Sequence, residues 1–233
     1  MKTLFKANKL KLSAFKILLV SSLFALIFIS STSHAEQANI SVSDAKGKQL
    51  KDVVVFLEPQ FQQKNSSKPV DIIIDQRDKE FIPLVSAVQV GTSIRFPNND
   101  KIRHHVYSFS KSKSFEIPLY KDVDPTPVMF DKAGVVPLGC NIHDWMNAYV
   151  FVSETPYFAL TDKNGNAQIK NLPSGKYQAK LYHPSMKDWE KQSGKAIQVT
   201  SAKTATMQMQ LNKKKKLFRT FRPPTGSGTS SYR

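Results

Sequence analysis

The chain has 233 residues, with 34 Lys and Arg against 18 Asp and Glu, 40% hydrophobic residues and one cysteine. That suits one sizeable globular domain or two small ones, and the lone cysteine excludes an internal disulfide. Five of the cationic residues lie in the first 35 positions and seven follow Leu211, so the body holds 22 against 18, a balance that argues against a nucleic-acid partner.

Residues 1–35 read as a secretory signal. Lys2, Lys6, Lys9, Lys11 and Lys16 precede the apolar run Ile17 to Ile29, and Ser33 and Ala35 are the small residues before a cut after Ala35. The alternative is an uncleaved membrane anchor, since the run is long for a signal core and short of a full span. Either way the body is expected to be exported, with a periplasmic location.

Residues 36–69 open with "ISVSDAKGKQLKDVVVFLEP", two alternating strands around the turn Asp44-Ala45-Lys46-Gly47, followed by a polar linker, "QFQQKNSSKP". Residues 70–153 hold short β-branched and aromatic runs punctuated by Gly91, Pro97-Asn98-Asn99-Asp100 and Gly134. They have no helical periodicity, so an antiparallel all-β domain is expected. Phe96, Tyr107, Phe109, Tyr149 and Phe151 are assigned to its core. Residues 154–211 form a second turn-and-strand series. Asn164-Gly165 and Pro173-Ser174-Gly175 are hairpin and turn signals, and a last strand falls between Ala196 and Leu211. Residues 212–233, a charge run followed by a Pro/Gly/Ser stretch, read as a basic disordered tail.

The chemistry concentrates in "GCNIHDWM", where Cys140, His143 and Met146 fall within seven positions, with His104 and His105 upstream. A thiolate, two imidazoles and a thioether are the donors that hold copper for electron transfer, with a His₂Cys plane and a weak axial Met. The other reading is that the three are ordinary residues of a β-rich core. Register directs Cys140 inward, because Gly134, Val136, Leu138 and Cys140 share one strand face while Val135, Pro137 and Gly139 share the other. Pro137 implies an edge or a missing ladder bond. His104 and His105 point to opposite faces, so only one of them can enter the site. Trp145 belongs either to a hydrophobic rim around His143 or to the packing.

A strand carrying a histidine, with two further strands joined by a Cys-His-Met loop, resembles the cupredoxin (blue copper) family over residues 70–153. "FIPLVSAVQVGTSIRFPNND" is similar to that family's strands, and "CNIHDWM" has the compact spacing of its amicyanin-like members. "IRHHVYSF", "GVVPLGCNIHDWM" and "TPYFALTDKNG" further resemble exported bacterial plastocyanin-like proteins of the methylamine utilisation type. The resemblance implies a Greek-key β-sandwich holding one type 1 copper through His104, Cys140, His143 and Met146. His105 stands where the family has an Asn that ties the ligand loops together, so it could copy that Asn, titrate, or be the ligand itself.

"TDKNGNAQIKNLPSGKYQAKLYHP" resembles a second family, the carboxypeptidase regulatory-like (transthyretin-like) β-sandwich, whose opening strands look like residues 38–58. Residues 38–58 and 157–211 are therefore expected to form one small sandwich interrupted by the copper domain. His183 is expected at its surface, and no catalytic arrangement is legible there. What the resemblances imply is a non-enzymatic electron carrier serving a redox protein of the cell envelope, with the basic tail able to touch anionic membrane at about 1 kcal/mol per cation. Two other classes use the same residues: a copper-handling or copper-sensing protein with an exchangeable site, and a cell-envelope binding module that keeps the fold without copper.

Overall fold

The computed structural model describes residues 36–62, 70–186, 189–201 and 204–211. The signal, the basic tail and most of the polar linker lie outside these. In chain order the strands are β1 Glu36–Ser43, β2 Val54–Pro59, β3 Ile72–Ile73, β4 Asp75–Arg77, β5 Glu80–Ile82, β6 Val85–Gln89, β7 Thr92–Arg95, β8 His104–Phe109 and β9 Ser114–Tyr120. They continue as β10 Val128–Phe130, β11 Gly134–Gly139, β12 Asn147–Ser153, β13 Phe158–Leu160, β14 Asn166–Leu172, β15 Gly175–Tyr182, β16 Lys195–Val199 and β17 Ala205–Gln210, with one 3₁₀ turn at Trp189–Lys191. The fold is all-β. Among the described residues no helix is long and apolar enough to cross a membrane.

The strands at the two ends of the described chain pair with each other. One sheet runs β14-β1-β17 and a second runs β13-β2-β15-β16. Alternation along β1 buries Ala38, Ile40 and Val42, and these meet Val53, Val55 and Leu57 near and on β2, Tyr177, Ala179 and Leu181 on β15, and Met207 on β17 in one apolar core. The Asp-x-x-Gly turns are built alike. Asp44 Oδ1 accepts from the N–H of Lys46 and Lys48 with Gly47 at φ 81°, and Asp162 Oδ1 accepts from Asn164 and Asn166 with Gly165 at φ 75°. The first closes a short antiparallel bridge, Ser43 with Gln49, whereas the second joins two sheets. The Asn164-Gly165 turn carries the chain from β13 in one sheet to β14 in the other, and Pro173-Ser174 returns it to β15. The stretch expected as one last strand is split in the same way, with β16 in one sheet and β17 in the other.

Between Pro59 and Phe158 lies another sandwich, a five-stranded sheet β6-β12-β11-β8-β9 facing a three-stranded sheet β10-β7-β3, with the hairpin β4-β5 beside them. Ile94, Phe96, Val106, Phe130, Val136, Leu138, Ala148, Val150 and Val152 fill its interior. The expectation of antiparallel pairing within residues 70–153 is corrected in two places, β6–β12 and β3–β7, which are parallel; β1–β17 of the other sandwich is parallel as well. Parallel neighbours need a crossover, and here each pair is formed by strands separated by other elements of the chain, an arrangement that alternation cannot reveal. β11 runs along the whole of β12 but meets β8 at one register pair, Gly139 with Tyr107. Pro137 accounts for the gap. Its partner Tyr149 donates its N–H toward Leu84 on the far side, so the missing proline N–H falls on the β8 side. A groove of about 490 Å³ follows that seam, with Tyr107, Phe109 and Pro137 among its lining.

The two sandwiches share a third apolar cluster. Val85 and Phe151 on the outer faces of β6 and β12 pack against Val54, Phe56 and Tyr182 on the outer faces of β2 and β15, with Trp189 beside them. Phe151 therefore faces the other sandwich rather than its own core. Phe109 is a second correction, since it is 75% exposed on the outer face of β8. His183, expected at the surface, is buried, and its Nδ1 lies 2.6 Å from the Ser185 hydroxyl.

Candidate metal centre

β8 begins with two histidines whose side chains part company. His104 is fully buried and turns toward the interior. His105 turns outward, where its Nε2 lies 2.9 Å from Glu116 Oε1 and its ring packs 5.4 Å from that of Tyr107. The alternation of a β-strand enforces this choice.

At the same end of the sheet, because β11 runs antiparallel to β8, β11 delivers Cys140 to the core. Gly139 is required just before it, because a Cβ there would come within 2.8 Å of the Tyr107 ring. The loop that follows is short and closed on itself. The Cys140 N–H donates to the Met146 carbonyl at 3.1 Å, and the Met146 N–H donates to the His143 carbonyl at 2.9 Å. These bonds fold His143 back over the sulfur and lead the chain into β12. Met146 is fully buried with Cys140 in the interior cluster. Trp145 is half-buried, its ring 5.3 Å from that of His143, so it both packs on the core and flanks the histidine.

The result is a convergence of donors. His104 Nδ1 lies 4.0 Å and His143 Nδ1 3.7 Å from Cys140 Sγ, and the ligand atoms of the three residues all lie within 4.8 Å of one another. A metal in a trigonal plane, with a metal–sulfur bond of about 2.3 Å and metal–nitrogen bonds of about 2.0 Å, would separate sulfur from nitrogen by about 3.7 Å. The two sulfur–nitrogen distances match that value to within a few tenths of an ångström. His105 stays outside the cluster.

Electrostatics favours the ligating forms of Cys140 and His143 and opposes that of His104. Burial opposes ionisation of Cys140, but the His104 ring and the N–H groups of His105 and Ile142 outweigh it and hold the thiol below its usual range. Burial, with the charges of His104 and Lys79 adding, pushes His143 down and leaves it neutral. Burial also opposes charge on His104, yet the hydrogen bonds it can donate to Cys140 and Asp100 raise it overall. Metal binding needs a thiolate and neutral imidazoles, so protons and metal compete chiefly at His104.

One residue of this site, Asp100, was invisible to sequence reasoning except as part of a turn. Its Oδ2 lies 2.9 Å from His104 Nε2.

No family model matches the chain, and no curated protein does. Among solved structures it is similar to a purple cupredoxin from Nitrosopumilus maritimus, at 27% identity over 36% of this chain and 98% of that one, with a TM-score of 0.31. It is similar to a reduced Cu(I) form of an amicyanin mutant at 20% identity, over 38% of this chain and 87% of the other, with a TM-score of 0.33. A Cu-containing nitrite reductase from Thermus scotoductus aligns at 22% identity over 42% of this chain and 25% of its own length, with a TM-score of 0.33.

Proposed function

We propose that the chain is an exported electron carrier that holds one type 1 copper through His104, Cys140, His143 and Met146. The observation that carries this reading is the aim of two imidazole Nδ1 atoms at one buried sulfur, 4.0 and 3.7 Å away. A copper ion bound there would supply a one-electron couple. The chain's own residues do the rest. Cys140 loses its proton more readily than an ordinary thiol, and the two hydrogen bonds that close the loop hold His143 over the sulfur. The apolar core around Cys140 and Met146 excludes water from the far side. Donors that are in place beforehand need not move when the charge changes, which suits electron transfer better than substrate turnover. No substrate is transformed in this reading.

The same proposal places the protein in the periplasm, where a redox protein of the cell envelope would meet it beside His143 and Trp145. It also gives the basic tail a supporting contact with anionic lipid. Visible and EPR spectra of the chain titrated with Cu(II), beside those of Cys140→Ser, test it. An intense thiolate-to-copper band that vanishes in the variant is expected. A colourless protein, or copper binding indifferent to Cys140, would refute it.

A further inference from the structure

We infer that Asp100 is a positioning residue for the metal centre, and that the β4–β5 hairpin exists in part to hold it; this rests on the copper reading above. His104 is 0% exposed, and Nδ1, the ring nitrogen nearer the sulfur, is the one that would bind metal. Its other nitrogen, Nε2, is bonded to a carboxylate rather than to water or a backbone carbonyl. A carboxylate in that place accepts the Nε2 proton, fixes the tautomer that leaves the Nδ1 lone pair free, and raises the basicity of the ligand.

The carboxylate is itself clamped. Asp100 is 12% exposed, its Oδ2 also accepts the Lys79 N–H at 2.8 Å, and its Oδ1 accepts the Lys101 N–H at 2.7 Å. Asn98 Oδ1 accepts the Asp100 N–H at 3.0 Å, and the same Asn98 side chain donates to the carbonyls of Ile102 and Tyr120. Lys79 reaches Asp100 because the turn of the β4–β5 hairpin puts two successive non-glycine residues, Asp78 and Lys79, in the left-handed region at φ 52° and 59°. A two-residue loop between the paired residues Arg77 and Glu80 takes that conformation at both of its positions. The hairpin is thus anchored to the loop before β8 at the point where the loop meets the buried histidine. Removing any part of this chain of bonds leaves His104 in its pocket but free to choose its tautomer.

A fixed negative charge one imidazole away from the metal stabilises Cu(II) more than Cu(I). Asp100→Asn keeps an acceptor but removes the charge, so Cu(II) binding should weaken by about 10–100-fold, the range for partners that orient a ligand. If Cu(I) binding changes little, a tenfold loss corresponds to a midpoint potential about 59 mV higher for a one-electron couple. The first measurement needs neither copper nor a variant. A long-range proton–nitrogen correlation spectrum of the histidine rings in the metal-free chain, under conditions where the rings are neutral, should find His104 as the pure Nε2–H tautomer. In Asp100→Ala it should become a mixture. A His104 that already carries its proton on Nδ1, or a tautomer indifferent to Asp100→Ala, overturns the inference. So does an unchanged potential and unchanged Cu(II) affinity in Asp100→Asn. If the wild-type chain gives no Cys140-dependent band, the copper reading fails on its own, while the tautomer still decides what Asp100 does to the ring.

Discussion

Replacing Phe151 by alanine tests whether the shared apolar cluster joins the two sandwiches or merely lies between them. Phe151 is 3% exposed, and its ring lies 4.8 Å from Phe56, 5.3 Å from Tyr182 and 5.3 Å from Trp189, all contributed by the other sandwich. Truncating a buried Phe costs about 3–5 kcal/mol, and three aromatic partners, each contributing about 0.5–1.5 kcal/mol beyond burial, put this site in the upper part of that range. The cost should fall on the coupling, because Phe151 points away from the interior of its own sandwich. The chain's two tryptophans allow this to be read separately. Trp189 sits at the junction and Trp145 beside the candidate metal centre, so urea unfolding of Trp145→Phe and Trp189→Phe chains reports one sandwich at a time. In the wild type the two fluorescence transitions should coincide, and Phe151→Ala should lower both midpoints and separate them. A loss below about 1 kcal/mol, the size expected at an exposed position, with transitions still coincident, would refute the reasoning.

Other outcomes follow from the site and its surroundings. His104→Ala should abolish the Cys140-dependent copper band, whereas His105→Ala should preserve it, because the His105 ring is engaged with Glu116 on the outer face. Gly139→Ala forces the new methyl against Tyr107 and should cost about 1–3 kcal/mol in thermal or chemical denaturation, with Tyr107→Ala restoring most of it. Burial raises the Tyr120 phenol from 10.0 to about 12, against the Gln76 hydrogen bond, with the charges of Asp124, Cys140 and Asp75 assisting. The neutral phenol is therefore favoured by the fold. Its contribution is complete below pH 10 and lost as pH rises toward 12, so Tyr120→Phe should flatten the alkaline decline of stability measured by urea titration at stepped pH.

Alternation made β1 and β11 legible, and with them the inward aim of Cys140, because which side of a strand is buried is written in every second residue; β2 was legible instead as a continuous apolar run, buried on both faces. Which sheet a strand joins is not written there. Asn164-Gly165 has the composition of a hairpin, but the same turn geometry also carries a chain across a sandwich, and only the pairing of β13 with β2 and β14 with β1 distinguishes the two. Phe109 failed for a related reason, since an aromatic residue at a strand end reads as core whether or not another layer covers it. The choice of His104 over His105 depended on the register of β8. Asp100 could not be found because its role depends on Lys79, 21 positions away and in another hairpin.

The strands that flank the inserted sandwich meet where it enters and leaves. The Leu57 N–H donates to the Tyr157 carbonyl at 2.8 Å, and the Thr155 hydroxyl donates to the Leu57 carbonyl at 3.1 Å. For an unfolded chain, bringing β2 to β13 means closing a loop of nearly a hundred residues, and Ala38 must find Ala205. Folding of the insert before the flanking strands would bring them closer together, and the closure entropy of that long loop would fall. An insert that folds first would serve as the nucleus for the rest of the chain. Anything that stabilises it, a bound metal included, should also hasten assembly of the sandwich that surrounds it in sequence, so refolding of Trp189 should trail refolding of Trp145 and quicken when copper is present.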